Sequence, residues 1–215
     1  MKEILLVIFA YFIGSIPTAL IVSRSFFNID IRDYGSGNMG ATNAFRILGS
    51  KWGTLIMALD VSKGMLAVGL CYFMPNYLDN DIQHTNFMIA LGLAAVIGHI
   101  FPVFAQFKGG KGVATLLGML LAVQPLVAVA CLCVFILVLF LTRYVSLSSI
   151  LGAIMLPISV IWIWNDDVLT YRIFAVLVAF LVIITHQKNI GRLIKGAETR
   201  VPILKYRDRK NKAKK

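Results

Sequence analysis

One dipeptide, Gln124-Pro125, constrains the topology of this chain more than any other feature. It interrupts an apolar run from Val113 to Thr142, and the residue before a proline is driven out of the helical region. Without the break, the run reads as one helix that carries Arg143 and all that follows to the far side of a membrane. With it, two helices and a turn return the chain to the side it left. A membrane is the right frame: 59% of the 215 residues are hydrophobic and the mean hydropathy is +0.81, values that exclude an ordinary soluble domain. The expected spans are 4–23, 52–74, 86–104, 113–123, 126–142, 147–164 and 172–186, several of them short of the ~20 residues that cross a full bilayer core. Lys2 opens the first, but no small-residue cleavage site follows, so the stretch reads as a span rather than a signal peptide.

Loop charges decide the parity. Arg24, Arg32, Arg46 and Lys51 fall in the first loop, Lys108 and Lys111 in the third, and Arg143 in the fifth. Eleven Lys/Arg follow His186, against Glu198 and Asp208. The loop 75–85 has no Lys or Arg and carries Asp79 and Asp81, while Asn165-Asp166-Asp167 precedes a single Arg172. Seven crossings put every strongly basic segment on one face, which the positive-inside rule makes cytoplasmic. Six would send the basic tail outside. The expected fold is an all-α integral membrane protein of seven transmembrane helices, N-terminus outside and C-terminus cytoplasmic. Residues 1–200 form a single helical domain and 201–215 a basic cytoplasmic tail held at anionic headgroups. Tyr206 is the lone aromatic among those basic residues, too little for nucleic-acid binding. Cys71, Cys131 and Cys133 lie in apolar stretches without metal-ligand spacing and read as packing residues.

Two glycine-rich loops then share the cytoplasmic face. In GSGNMGATN, residues 35–43, the side chains of Ser36, Asn38, Thr42 and Asn43 alternate with Gly35, Gly37 and Gly40, and Arg46 follows three residues on. A helix starting near Ala41 would bring Arg46 close to its first turn, and helix N-termini and guanidinium groups both favour phosphate. The competing reading is a plain turn-rich loop. The glycines have the form GxGxxG, but no strand precedes them, so a dinucleotide fold fails its context test. In GGKGVAT, residues 109–115, Gly109, Gly110 and Gly112 surround Lys111 and Thr115 closes the segment. Glycines that turn their N–H groups inward make an anion-binding nest, and the lysine supplies the matching charge. The spacing is not that of a P-loop, and a lysine snorkelling beside a helix start is the simpler alternative.

Four further sets of residues carry chemistry. Asp60 and Lys63 share one face of the second span, either as a functional pair or as an ion pair bracing the bundle. Lys63 serves a substrate only if the pocket dips into the membrane. His99, before Phe101-Pro102, is expected to hydrogen-bond a neighbouring helix. Ser146 and Ser148 begin a span; one hydroxyl caps the helix and the other can donate to phosphate, with no residue signal to say which. Finally, His186, Asn189 and Arg192 recur every three residues, and Glu198 returns past Gly196. Imidazole, amide and guanidinium facing one way can bind an anion and manage a proton.

Three motifs in order, GSGNMGATN at 35–43, FKGGKGVAT at 107–115 and HQKNIGRLIKGAE at 186–198, resemble those of the bacterial membrane acyl-phosphate:glycerol-3-phosphate acyltransferases. GSIPTA at 14–19, Asp60-x-x-Lys63-Gly64 and GHIFPVF at 98–104 extend the resemblance over nearly the whole chain. It implies seven helices in the cell inner membrane with the active site facing the cytoplasm. It further implies transfer of a fatty acyl group from acyl phosphate to the sn-1 hydroxyl of glycerol 3-phosphate, giving lysophosphatidate and phosphate. By motif position, Ser36, Gly37, Asn38, Thr42, Asn43 and Arg46 would bind phosphate, with Gly109, Gly110, Lys111, Gly112 and Thr115 holding glycerol 3-phosphate. Ser148 and Lys63 join them as substrate-binding candidates, and His186, Asn189, Glu198 and Ser146 are the catalytic candidates. The implied partners are glycerol 3-phosphate, acyl phosphate and membrane lipids, with the protein a monomer. Neither cofactor nor metal is expected, because acyl phosphate is a mixed anhydride with a good leaving group.

The sequence lacks the HxxxxD pattern of acyltransferases that use acyl-CoA or carrier protein: five residues past His84, His99 and His186 stand Ile89, Phe104 and Gly191. The rival reading is a small organic-anion transporter or channel lined by Asp60, Lys63 and His99. Against it, the polar motifs gather on one face, and no internal repeat is found.

Overall fold

Prolines set the element boundaries at both ends of the molecule. The computed structural model describes residues 1–78 and 81–201, and the regular structure among them is helical throughout. Helix α1 (Lys2–Ser15) gives way to α2 (Thr18–Phe27) because Ile16, before Pro17, is extended, so the first expected span is a broken one. After a short 3₁₀ turn come α3 (Ala41–Ile47), α4 (Ser50–Gly69), α5 (Pro75–Leu78) and α6 (Asp81–Ile100). Helix α7 (Val113–Val123) stops where Gln124 turns extended, and Pro125 occupies the first turn of α8 (Pro125–Thr142), where its missing N–H has no partner to lose. Helix α9 (Val145–Ile158) contains Pro157 and widens into a π-turn over Ser159–Ile163, one way a helix absorbs an interior proline. Helices α10 (Leu169–Thr185) and α11 (Gln187–Ile194) meet at a 61° bend.

By length and composition, Lys2–Phe27, Ser50–Phe73, Ile82–Ala105, Pro125–Thr142 and Val145–Ile163 are able to cross a membrane, and the bent pair α10–α11 makes a sixth candidate. Helix α7 is apolar but only eleven residues long. Residues 202–215 of the expected basic tail lie outside the described residues.

Two helix crossings rest on reciprocal glycines. A Cβ on Gly14 of α1 would stand 2.0 Å from Ala95 O of α6, and one on Gly98 of α6 would stand 2.2 Å from Tyr11 O of α1. The α4–α7 crossing repeats this with Gly64 against Thr115 O at 2.1 Å and Gly118 against Val61 O at 1.9 Å. Small residues let backbones touch where lipid tails give no hydrophobic drive for association. The largest buried cluster among the described residues, with Met119, Val127, Leu156, Tyr171 and Val178, lies among α6 to α10 and takes in Val68 of α4. Leu137, Phe140 and Leu141 of α8 and Leu177, Phe180 and Ile184 of α10 face outward.

Candidate active site

The site grows from four segments that the helices deliver to one end of the bundle. The first is the loop before α3. Asp30 accepts from Arg32 Nη2 at 2.6 Å and Arg24 Nη2 at 2.8 Å, pinning the loop's start. The Arg32 hydrogen bonds hold its carboxyl well below the usual range. Asn43, 1% exposed, then staples the loop shut. Its Nδ2 donates to Tyr34 O (3.0 Å) and Ile31 O (3.3 Å), and its Oδ1 accepts from the Ser36 N–H (3.0 Å). Gly37, with φ +70°, makes the turn between them. Ser36, Thr42 and Arg46 are left exposed on this frame.

Asn38 joins the first loop to the second. Its Oδ1 accepts from Gly40 N–H (2.8 Å) and its Nδ2 donates to Gly109 O (3.4 Å). The second loop lies along the end of α6, where Gly109 N–H donates to Ile100 O (3.1 Å) and Gly110 N–H to His99 O (3.0 Å). Gly112, φ +80°, caps α7. Between these glycines Lys111 reaches across and donates to Asn189 Oδ1. Burial lowers the Lys111 ammonium to about 8, with Glu198 opposing the shift and Arg192 adding to it.

The remaining segments are the α10–α11 elbow and the start of α9. His186, 3% exposed, sits at the elbow, and its Nδ1 is 2.7 Å from Val182 O. A carbonyl only accepts, so Nδ1 carries the proton and Nε2 keeps its lone pair. One turn on, Asn189 Nδ2 donates to Glu198 Oε1 (2.6 Å) and Arg192 Nε to Glu198 Oε2 (2.7 Å). Glu198 returns because α11 ends in a Schellman cap: Gly196, φ +66°, donates to Leu193 O (3.1 Å), and Ala197 N–H donates to Arg192 O (2.8 Å). Ser146 Oγ adds a third donor to Glu198 at 2.8 Å. Burial alone would raise the Glu198 carboxyl, but donors from Arg192, Asn189 and Ser146 outweigh it and hold the group below its ordinary value.

Lys111, Asn189, Glu198, Ser146 and Arg192 thus form one connected network, with Asn38 tying in the first loop. Among the described residues His186, Ser36, Thr42 and Arg46 make no side-chain hydrogen bond to it, His186 being held by Val182 O, and three further sequence candidates are committed elsewhere. The Ser148 hydroxyl donates back to Tyr144 O at 2.8 Å, the i−4 bond a serine makes within a helix. Thr115 is buried where α7 crosses α4, against Gly64. Lys63 is committed to Asp60 Oδ1 (2.7 Å), Thr18 Oγ1 (3.2 Å) and Ile16 O (2.5 Å). Conversely, Tyr144 and Arg200 escaped the sequence reading. The Arg200 guanidinium lies 5.1 Å over the Tyr144 ring and Val201 N–H donates to Arg143 O (2.9 Å), which straps Glu198 in place. No motif or spacing announces that contact.

The profile of the glycerol-3-phosphate acyltransferase family matches residues 4–196. The curated glycerol-3-phosphate acyltransferase of Macrococcus caseolyticus is 44% identical over 205 residues, covering 95% of this chain and all of that one. Among solved structures, PlsY (YgiH), an integral membrane glycerol 3-phosphate acyltransferase, matches in two forms. Its glycerol 3-phosphate form has a TM-score of 0.84 at 37% identity, covering 94% of this chain and 96% of that chain. Its lysophosphatidic acid form has 0.80 at 36%, covering 93% and 95%. Over nearly all its length, in sequence and in fold, this chain belongs to the family of integral membrane glycerol-3-phosphate acyltransferases.

Proposed function

We propose that the enzyme acylates the sn-1 hydroxyl of glycerol 3-phosphate from acyl phosphate, at the cytoplasmic face of a bacterial inner membrane and as a monomer. The observation that supports this best is the convergence of Lys111, Asn189, Glu198 and Ser146, drawn from three distant segments, into one network beside the first glycine loop. Two phosphorylated substrates call for two anion-binding loops, and the exposed Ser36, Thr42 and Arg46 offer donors beside Lys111. PlsY has been solved in glycerol 3-phosphate and lysophosphatidic acid forms, the acceptor and product of this reaction.

In this reading the chain crosses seven times, with α1–α2 as one broken span, α7 as the short one and α11 lying at the surface beyond α10. The N-terminus is then outside and the C-terminus inside. Residues 1–200 make one domain, and 201–215 a basic extension that meets anionic headgroups. Lys111 and Arg46 hold phosphate. The C1 oxygen of glycerol 3-phosphate attacks the acyl carbonyl carbon, the new ester C–O bond forms, and the bond from that carbon to the phosphate oxygen breaks. Phosphate departs with the electron pair. Nε2 of His186 takes the hydroxyl proton and afterwards passes it to the leaving phosphate. Glu198 stays charged and orients Asn189, Ser146 and Arg192.

Purified protein given acyl phosphate and glycerol 3-phosphate should yield lysophosphatidate without added metal or CoA. Ester formation from acyl-CoA but not from acyl phosphate would overturn the choice of donor.

A further inference from the structure

Beneath the Gly109–Thr115 loop lies a polar cluster that the proposed chemistry does not use. Asp60, Lys63 and His99 are 0%, 5% and 8% exposed. Asp60 Oδ1 accepts from Thr18 Oγ1 (2.6 Å) and Lys63 Nζ (2.7 Å), and His99 Nδ1 stands 3.7 Å from the same oxygen. Lys63 Nζ also fastens Ile16 O at the α1–α2 break. A cluster that only braced helices would end there. This one reaches the loop through His99. Its backbone carbonyl takes the Gly110 N–H, and its ring Nε2 lies 2.1 Å from where a Cβ on Gly110 would be. Gly110 is the residue before Lys111, whose ammonium meets Asn189.

We propose that His99 is a positioning residue for glycerol 3-phosphate. Its imidazole, 3.7 Å from the Asp60 carboxylate that Lys63 and Thr18 hold in place, is the platform on which Gly110 rests, and it sets how far Lys111 extends towards the substrate phosphate. The proposal rests on the reading of Lys111 as a phosphate-binding group. The physical basis is that displacing a binding group by about 1 Å costs on the order of a hundredfold in a well-oriented site. The absence of a side chain at Gly110 also has a cause here, since a methyl group would occupy the space of the ring. Gly110 has no left-handed φ, and the three heavy atoms nearest a Cβ there all belong to the His99 ring, so Gly110→Ala acts first on that contact.

The test uses the full-length purified enzyme, with KM for each substrate, kcat and the thermal unfolding midpoint measured for every variant. His99→Ala, His99→Leu and Gly110→Ala should each raise the KM for glycerol 3-phosphate about tenfold or more. The KM for acyl phosphate and kcat should stay within about threefold. His99→Gln, which keeps a polar group of similar reach, should return the KM to near the native value. The double variant His99→Ala/Gly110→Ala should be less impaired than the product of the two single effects, because removing the ring opens the space that the methyl group fills. An unchanged KM for glycerol 3-phosphate in His99→Ala and Gly110→Ala would overturn the proposal. So would a uniform loss of activity that follows the unfolding midpoint, and so would multiplicative effects in the double variant. Lys111→Ala separates the two levels: with its KM raised and those of the His99 variants normal, only the positioning role fails. A normal KM in Lys111→Ala overturns both.

Discussion

Lys111 should titrate inside the pH range where the reaction is run. Burial lowers its ammonium to about 8, so near pH 9 only about a tenth of the free enzyme keeps the charge proposed to meet phosphate. The kcat/KM for glycerol 3-phosphate should then fall about tenfold between pH 7 and pH 9, while the value for acyl phosphate changes less. The substrate does not cause this limb: a phosphate monoester loses its second proton near pH 6 and stays dianionic above it. Lys111→Arg removes the titration, because a guanidinium stays protonated past pH 12. Its profile should stay flat to about pH 10, even where the altered geometry lowers the plateau. Lys111→Ala loses a charge-assisted hydrogen bond of about 1.5–3 kcal/mol, roughly 10- to 150-fold in kcat/KM at pH 7.

The assay is lysophosphatidate formation under initial-rate conditions, with acyl phosphate hydrolysis measured separately at each pH. Unfolding does not mimic the result. The folded pKa lies below the unfolded one, so between about 8 and the ordinary lysine value the unfolded chain binds more protons, and this group makes the fold more stable as pH rises. An alkaline limb near pH 8 that persists in Lys111→Arg would refute the assignment.

Asp60→Ala should destabilise the protein by about 3–5 kcal/mol by leaving the Lys63 ammonium buried and unpaired, and Asp60→Leu with Lys63→Met should be milder. Thermal unfolding in detergent checks this, and a double variant as unstable as the single would contradict it. Gly118→Val should cost about 1–3 kcal/mol by forcing α7 off the Val61 carbonyl, whereas Gly191→Ala, with nothing within 4 Å, should be neutral or stabilising by up to about 1 kcal/mol in the same assay. Ser146→Ala should lower kcat/KM about tenfold and Ser148→Ala by less than twofold, since only the first hydroxyl reaches Glu198. Equal losses would refute that ordering.

What the sequence made legible was what local chemistry alone decides. Pro125 and Pro17 interrupt helices whatever surrounds them, yet only the first break is legible, because Ile16-Pro17 lies inside a run apolar enough to pass for one span. Lys111, Asn189 and Glu198 stood out because glycines and amides beside charges are unusual at the ends of apolar helices. The choice between Ser146 and Ser148 was not legible. Both sit in the first turn of α9, and what separates them is the return of Glu198 from fifty-two residues away. Thr115 shared a motif with Lys111 but belongs to a crossing where Gly64 meets its carbonyl. The reciprocal glycines of α1–α6 and α4–α7 were equally hidden, since a small residue signals a close approach only once its neighbour is known.

A carboxylate at the centre of a site proposed to gather phosphates looks misplaced, since it repels such a ligand. The network explains it. Without phosphate, Lys111 and Arg192 repel each other across a half-buried space, and the Lys111 ammonium is already weakened by desolvation. Glu198 offsets that repulsion and gives Asn189, Ser146 and Arg192 a fixed acceptor. Each donor to Glu198 is thereby held in one orientation before any ligand arrives, so less rotamer freedom is lost on binding. The same anchor separates the two kinds of charge: the carboxylate is held by three donors of its own, and among the described residues Lys111 reaches it through Asn189. In the proposed reaction an entering phosphate meets a lysine whose polar partner among the described residues is a neutral amide. That contact is far easier to exchange for an anion than a direct ion pair, which is a reason for an asparagine, rather than an acid, to stand between Lys111 and Glu198.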